Sequence, residues 1–168
     1  MIENIYSELK PGDKDYVEKT ITETDVYLYA GVTGDFSWLH VNEMRAQAGH
    51  FKTRIVHGML LVGLISNVVG NSMPGAGTIY ETQNLQFLKP CYFNDTIRAQ
   101  AEVIEVMPKG RIKLRTTCYN QHGDLLVDGD AVVIPPRQHV LDAIDFRDKR
   151  VDDDAQNTLY QQLSRRAG

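Results

Sequence analysis

The stretch that most limits what this chain can fold into runs from Val56 to Val69. After Val56-His57-Gly58 come Met59, Leu60, Leu61, Val62, Leu64, Ile65, Val68 and Val69. On a helix these apolar positions cover almost the whole circumference, which predicts a helix buried on all sides. The run Ile55 to Val69 also contains His57, Ser66 and Asn67, and it falls short of the ~20 apolar residues that a membrane span needs. The helix is expected to end near Gly70-Asn71, before a loop at Met73-Pro74-Gly75-Ala76-Gly77.

The cover for such a helix has to come from the rest of the chain. Downstream of the loop, four runs alternate like strands: Thr78 to Leu88, Thr96 to Met107, Ile112 to Asn120 and Leu125 to Ile134. Phe93-Asn94-Asp95, Pro108-Lys109-Gly110 and Gln121-His122-Gly123-Asp124 separate them as turns, which predicts antiparallel neighbours on short connections. Upstream, Pro11-Gly12-Asp13 is a turn and Tyr16 to Thr20 an expected edge strand. Thr22 with Asp25 three residues on reads as an N-cap, opening a helix over Glu23 to Thr33 that Gly34 stops. Residues 35–53 read as an ordered loop with a helical turn near Glu43 to Gly49. One buried helix followed by a long antiparallel meander is an α+β arrangement, a sheet wrapped around a helix.

The chain has 168 residues, enough to bury a substantial core. Its 18 Lys+Arg stand against 22 Asp+Glu with no basic block, which argues against a nucleic-acid partner. Charges recur too often near Met1 for a signal peptide, so a cytoplasmic setting is expected, with no membrane association. Cys91 and Cys118 have neither zinc-ligand spacing nor a disulfide framework and are expected to be reduced core residues. Residues 1–136 form the expected folded domain. Residues 137–168 form a charged tail, either a docking helix with Leu159, Tyr160 and Leu163 as a thin stripe or a loosely ordered end.

Two constellations carry chemistry. Asp35 and His40 lie five residues apart, straight after the helix-stopping Gly34. A carboxylate and an imidazole titrating near neutrality can act as an acid–base pair if the loop turns both to one site. Spacing alone equally allows Asp35 to cap a turn and His40 to be a satisfied loop residue. The second is His57-Gly58 at the start of the apolar helix. A helix N-terminus presents unpaired N–H groups, and glycine there permits close approach of a ligand to the backbone. Such a donor stabilises an oxygen that gains negative charge in a transition state. Tight packing of the helix start against the sheet would account for Gly58 as well, and His57 could be an N-cap or a buried hydrogen-bonded residue. Ser66, two turns on, could reach a pocket or simply bond back to a helix carbonyl.

Thr33-Gly34-Asp35-Phe36, Leu39-His40 and Ile55-Val56-His57-Gly58-Met59-Leu60 resemble the signature of MaoC-like (R)-specific enoyl-CoA hydratases. Gln86-Phe87-Leu88-Lys89-Pro90 with Asp95 resembles the family's strand that ends in a proline and a turn. The resemblance runs from about Tyr16 to Val133. It implies a single hot-dog fold with an overhanging catalytic loop, and hydration of trans-2-enoyl-CoA to (R)-3-hydroxyacyl-CoA or the reverse dehydration. It implies that Asp35 and His40 jointly activate water and protonate the α-carbon, that Gly58 is the oxyanion donor, and that Ser66 lies near the pair. No metal or organic cofactor is needed for that reaction, the substrate is an acyl-CoA, and the family's habit is a homodimer.

Ser37-Trp38 stands where the family has Asn-Pro. Serine keeps a hydrogen-bonding group with shorter reach, and Ser37 is expected to help position the loop. Trp38 is expected either to narrow the acyl site or to pack under the loop. Asn94 replaces the family's glycine before Asp95 and tolerates the same left-handed backbone. Lys52, Arg54, Lys89, Lys109 and Arg111 flank these motifs and are candidates for the CoA phosphates, or ordinary surface charges. Two other readings remain open. A hot-dog thioesterase is disfavoured because no Asp or Glu lies between Gly58 and Asn71. A non-catalytic acyl-CoA-binding protein stays possible through Ser37-Trp38.

Overall fold

The computed structural model describes residues 9–136; the expected tail, 137–168, lies outside them. Five strands and four α-helices follow in the order β1 (Lys14–Thr20), α1 (Glu23–Thr33), α2 (Trp38–Val41), α3 (Glu43–Ala48), α4 (Gly58–Asn67), β2 (Ile79–Phe87), β3 (Thr96–Met107), β4 (Arg111–Tyr119) and β5 (Leu125–Ile134). A π-helical stretch, Val68–Ser72, continues α4. The expected helix α1 and the strands β3 and β5 have the predicted bounds, and the other two strands of the predicted run differ by a residue at each end.

Local chemistry accounts for these limits. The Thr22 hydroxyl accepts from the Asp25 N–H while the Asp25 carboxylate accepts from the Thr22 N–H at 2.8 Å, a reciprocal cap. Gly34 ends the helix in the left-handed conformation at φ 77°, its N–H bonded to the Ala30 carbonyl. Asn94 takes φ 69°, as its tolerance of that region allows.

The sheet is antiparallel throughout, in the order β1-β3-β4-β5-β2, with β1 on the edge as expected. Only β3, β4 and β5 form a meander. The expectation that all four downstream strands are sequential neighbours is corrected at β2, which pairs with β5 (Leu85 opposite Gly129) and reaches β3 by a crossover. Alternation specifies which face a strand buries but not its partner. Here β1 occupies the edge of β3 that β2 would otherwise take.

The inner face of the sheet, with Ile97, Ala99, Ala101 and Val103 on β3 and Leu114 and Cys118 on β4, packs against Leu61, Leu64 and Ile65 of α4 and Val68 beyond it. The expectation of a helix buried all round is also corrected. Met59 is 54% exposed, and Gly63, Ser66 and Asn67 are exposed too, so one sheet covers one face of α4. No helix among the described residues is long and apolar enough to cross a membrane. Both cysteines are free and buried, and burial pushes both thiols up to about 12.

The crossover turn is held by Asp95, whose carboxylate is buried and accepts from the Tyr92 N–H and the Gln121 side-chain amide, each at 2.8 Å. The backbone adds Ile21 N–H to the Asp95 carbonyl at 2.9 Å. Replacing Asp95 by alanine removes two part-buried hydrogen bonds to a charged acceptor. The expected loss is about 1–3 kcal/mol, read as a lower urea midpoint with an unchanged slope; an unshifted midpoint would contradict this account of the turn.

Candidate active site

The loop after Gly34 folds back over the start of α4 and brings Asp35, His40 and His57 together, with one donor atom of each lying within 4.8 Å of the others. The loop is stiffened from within. The Ser37 N–H donates to Asp35 Oδ1 at 3.2 Å, and the Ser37 carbonyl accepts from the His40 N–H at 2.9 Å. Ser37 therefore positions the loop through its backbone, because its side chain makes no capping bond to α2. The Trp38 ring packs against Gly49 at the end of α3, and it is not among the residues lining the cavity beside His40. Of the two expectations for Trp38, packing within the loop region is the one observed.

Residues 54–56 strap this loop to the body of the fold. The Ile55 N–H bonds to the Leu39 carbonyl at 3.2 Å, and the Val56 N–H to the Cys91 carbonyl at 2.8 Å. Arg54 ties α1 to α3 through Glu23 at 2.6 Å and Glu43 at 3.2 Å, with its guanidinium 4.7 Å from the centre of the Phe93 ring. Arg54 is thereby committed within the chain, as are Lys89 with Asp124 and Arg111 with Glu81. Lys52 and Lys109 are exposed.

His40 Nδ1 lies 2.8 Å from the Ile55 carbonyl oxygen. A carbonyl only accepts, so the hydrogen is on Nδ1 and Nε2 carries the lone pair in the neutral ring. Burial pulls His40 below the ordinary imidazole range, the neighbouring His57 adds to the lowering, and the Ile55 carbonyl and the Asp35 carboxylate oppose it. A neutral imidazole with a free Nε2 is a proton acceptor. Asp35 is half exposed, its Oδ2 3.9 Å from His57 Nε2.

Sequence reasoning gave His57 two structural readings and no contact with the Asp35–His40 pair. It occupies the N-cap position of α4 without capping it, is 2% exposed, and stacks on His40 with ring centroids 3.8 Å apart. Its Nε2 lies 3.0 Å from the backbone carbonyl of Asp35. Of the two readings left open for it, the buried hydrogen-bonded residue is the one found. Residue types alone would let Asp35, His40 and His57 hold a divalent metal. Against that, His57 Nε2, the nitrogen 3.9 Å from the Asp35 carboxylate, already engages the Asp35 carbonyl.

A cavity of about 390 Å³ opens beside His40. Phe51, Ile55, Met59, Phe87 and Leu88 give it apolar walls, and Gly58 lies at its edge. Gly58 begins α4, so its N–H has no acceptor within the helix. A Cβ there would come 2.8 Å from the Phe87 ring, which makes glycine the residue that fits. Ser66 is exposed, about 12 Å along the helix axis from Gly58, and does not line this cavity. Within one chain, the structure joins Asp35, His40 and Gly58 at one site and leaves Ser66 apart.

A family model described as a MaoC like domain matches residues 10–123. The chain belongs to the MaoC-like family. This MaoC-like chain is 41% identical over 137 residues to an (R)-specific enoyl-CoA hydratase of Rhodospirillum rubrum, covering 81% of this chain and 94% of that one. It is 35% identical over 143 residues to a 3-hydroxybutyryl-CoA dehydratase of Methylorubrum extorquens, covering 84% and 90%. Its fold is the hot dog shared with the unliganded R-hydratase PhaJ1 of Pseudomonas aeruginosa, at TM-score 0.75 and 39% identity over 79% of this chain and 86% of that one.

The environment of His40 sets a measurable expectation. Its nitrogen resonances should titrate with a midpoint below about 6.5, and Asp35→Asn should move that midpoint lower still, because a carboxylate that favoured the cation is gone. A midpoint at or above the ordinary value would contradict the burial argument.

Proposed function

We propose that this MaoC-like chain hydrates a trans-2-enoyl-CoA to the (R)-3-hydroxyacyl-CoA, and catalyses the reverse dehydration, with Asp35 and His40 as its acid–base pair. The observation that carries the reading is the His40 tautomer: Nδ1–H is spent on the Ile55 carbonyl, which leaves the Nε2 lone pair on a ring that lines an apolar cavity and lies near Asp35. The names of the relatives at 41% and 35% identity support the same reaction class, a hydro-lyase.

The chemistry asks for three things. A base takes a proton from water as its oxygen bonds to the β-carbon. An acid delivers a proton to the α-carbon. A donor receives the thioester oxygen as it gains enolate character between those events. The Asp35–His40 pair supplies the first two, ends with the protonation state in which it began, and so adds one water across the double bond. The N–H of Gly58, at the positive end of α4, is the donor. The apolar walls take the acyl chain. We give Ser66 no part in proton transfer, and Ser37 acts by holding the loop. The thioester already acidifies the proton at the α-carbon, so the reaction calls on no metal or organic cofactor.

We further propose a cytoplasmic homodimer. The edge strand β2 ends at Phe87, with Leu88 next, both about half exposed, and an uncovered strand edge bearing apolar side chains invites a second copy.

The test is loss of the conjugated-thioester absorbance of crotonyl-CoA with wild type, Asp35→Asn and His40→Ala. Wild type should consume it, and each variant should be slower by about a hundredfold or more. Wild-type protein that leaves crotonyl-CoA and longer or branched enoyl-CoAs untouched, yet binds them, would make this a non-catalytic acyl-CoA-binding protein.

A further inference from the structure

His57 has no part in the proton chemistry above, yet its surroundings are not those of a space-filling residue. It is held between Tyr29, at 4.9 Å, and His40, at 3.8 Å, with the two imidazole planes 27° apart. Its Nε2 meets the backbone carbonyl of Asp35, so the hydrogen sits on Nε2. That choice leaves Nδ1 buried and without a partner. An aliphatic side chain of similar size would fill this space without burying an orphaned nitrogen. The position therefore tolerates a polar defect, and the Nε2–H and the ring face are what the defect accompanies.

We propose that His57 is a positioning residue for the Asp35–His40 pair. Its Nε2–H pins the backbone of Asp35 beside the His40 ring on which it stacks, so one buried hydrogen bond sets the separation of the two groups. The bond from His57 to Gly58 extends the effect. The His57 carbonyl accepts from the Leu60 N–H at 3.0 Å, which anchors the peptide unit whose N–H belongs to Gly58. The group that orients the pair and the donor for the thioester oxygen thus move as one piece. A misplacement of about 1 Å between such groups is enough to cost about a hundredfold in rate. The kinetic half of this inference rests on the hydratase reading; the positioning half does not.

Two substitutions separate the nitrogens of His57. In His57→Gln the side-chain amide nitrogen reaches the place of Nε2 and still donates to the Asp35 carbonyl. In His57→Asn the amide is one bond shorter and falls short of it. With crotonyl-CoA, His57→Asn should lower kcat by about ten- to a hundredfold with KM within about twofold, and His57→Gln should stay within about fivefold of wild type. The second readout needs no turnover: in the imidazole nitrogen spectrum of the free protein, the His40 midpoint should be lower in His57→Asn than in His57→Gln, because both lack the second imidazole and only His57→Asn lets the Asp35 carboxylate drift from His40. Equal losses in both variants, a loss confined to KM, or the same His40 midpoint in both would overturn the proposal. If His57→Asn fails to fold, His57→Gln decides: a near-wild-type kcat upholds the proposal, and a folded variant with kcat lowered tenfold or more overturns it. Wild-type protein without hydratase activity would sink the functional reading alone, since the nitrogen spectra would still decide the role of His57.

Discussion

The hydrogen bond from His40 Nδ1 to the Ile55 carbonyl, 2.8 Å long, governs what the rest of the site can do. It selects the tautomer, aims Nε2 and fixes the ring against rotation, and it does so with a backbone atom that side-chain motion cannot withdraw. The carbonyl is in place because Ile55 and Val56 are strapped on both sides, to Leu39 in α2 and to Cys91 before the crossover turn. The strap in turn needs Arg54 to bind Glu23 and Glu43, which keeps the loop of α2 and α3 against α1. The geometry around His40 therefore descends from the order of the sheet. Because β2 pairs with β5 rather than β3, the connection carrying Cys91 must pass beside residues 55 and 56 on its way to β3.

Much of this was legible in the sequence, for reasons that differ from element to element. Helix α1 has its predicted ends because Thr22, Asp25 and Gly34 satisfy the terminal backbone groups locally, with no help from tertiary contacts. Strands β3 and β5 were equally plain, since a clear period of two between turn residues leaves few other structures. The partner of β2 was not legible: alternation is a property of one strand, and pairing is a property of two. Nor was the exposed face of α4, because an all-round apolar pattern states that a face avoids water without saying what covers it. Helix α2 has four residues, too few to display a period.

At the site, Asp35, His40 and Gly58 were visible through their motif and the chemistry their types allow. The contacts of His57 with Asp35 and His40 were not legible because they are entirely spatial. Its neighbours Asp35, His40 and Tyr29 lie 17 to 28 positions away in the chain, and nothing in Val56-His57-Gly58 announces an imidazole stacked on another. Ser37 was singled out for its hydroxyl and contributes its main chain instead. In both cases side-chain chemistry was readable and backbone geometry was not, which is the expected division when a loop is shaped by carbonyl and amide groups common to every residue.

Cys91 lines the same cavity, and burial pushes its thiol up to about 12. A thioester is an acyl donor to any thiolate, so a cysteine beside it endangers the protein with self-acylation, in which the acyl group leaves CoA for the enzyme's own sulfur. At neutral pH a thiol so shifted is ionised in only about one molecule in 10⁵. Poor ionisation thus works as a chemical insulator: a thioester lying in this cavity would meet a sulfur that stays inert.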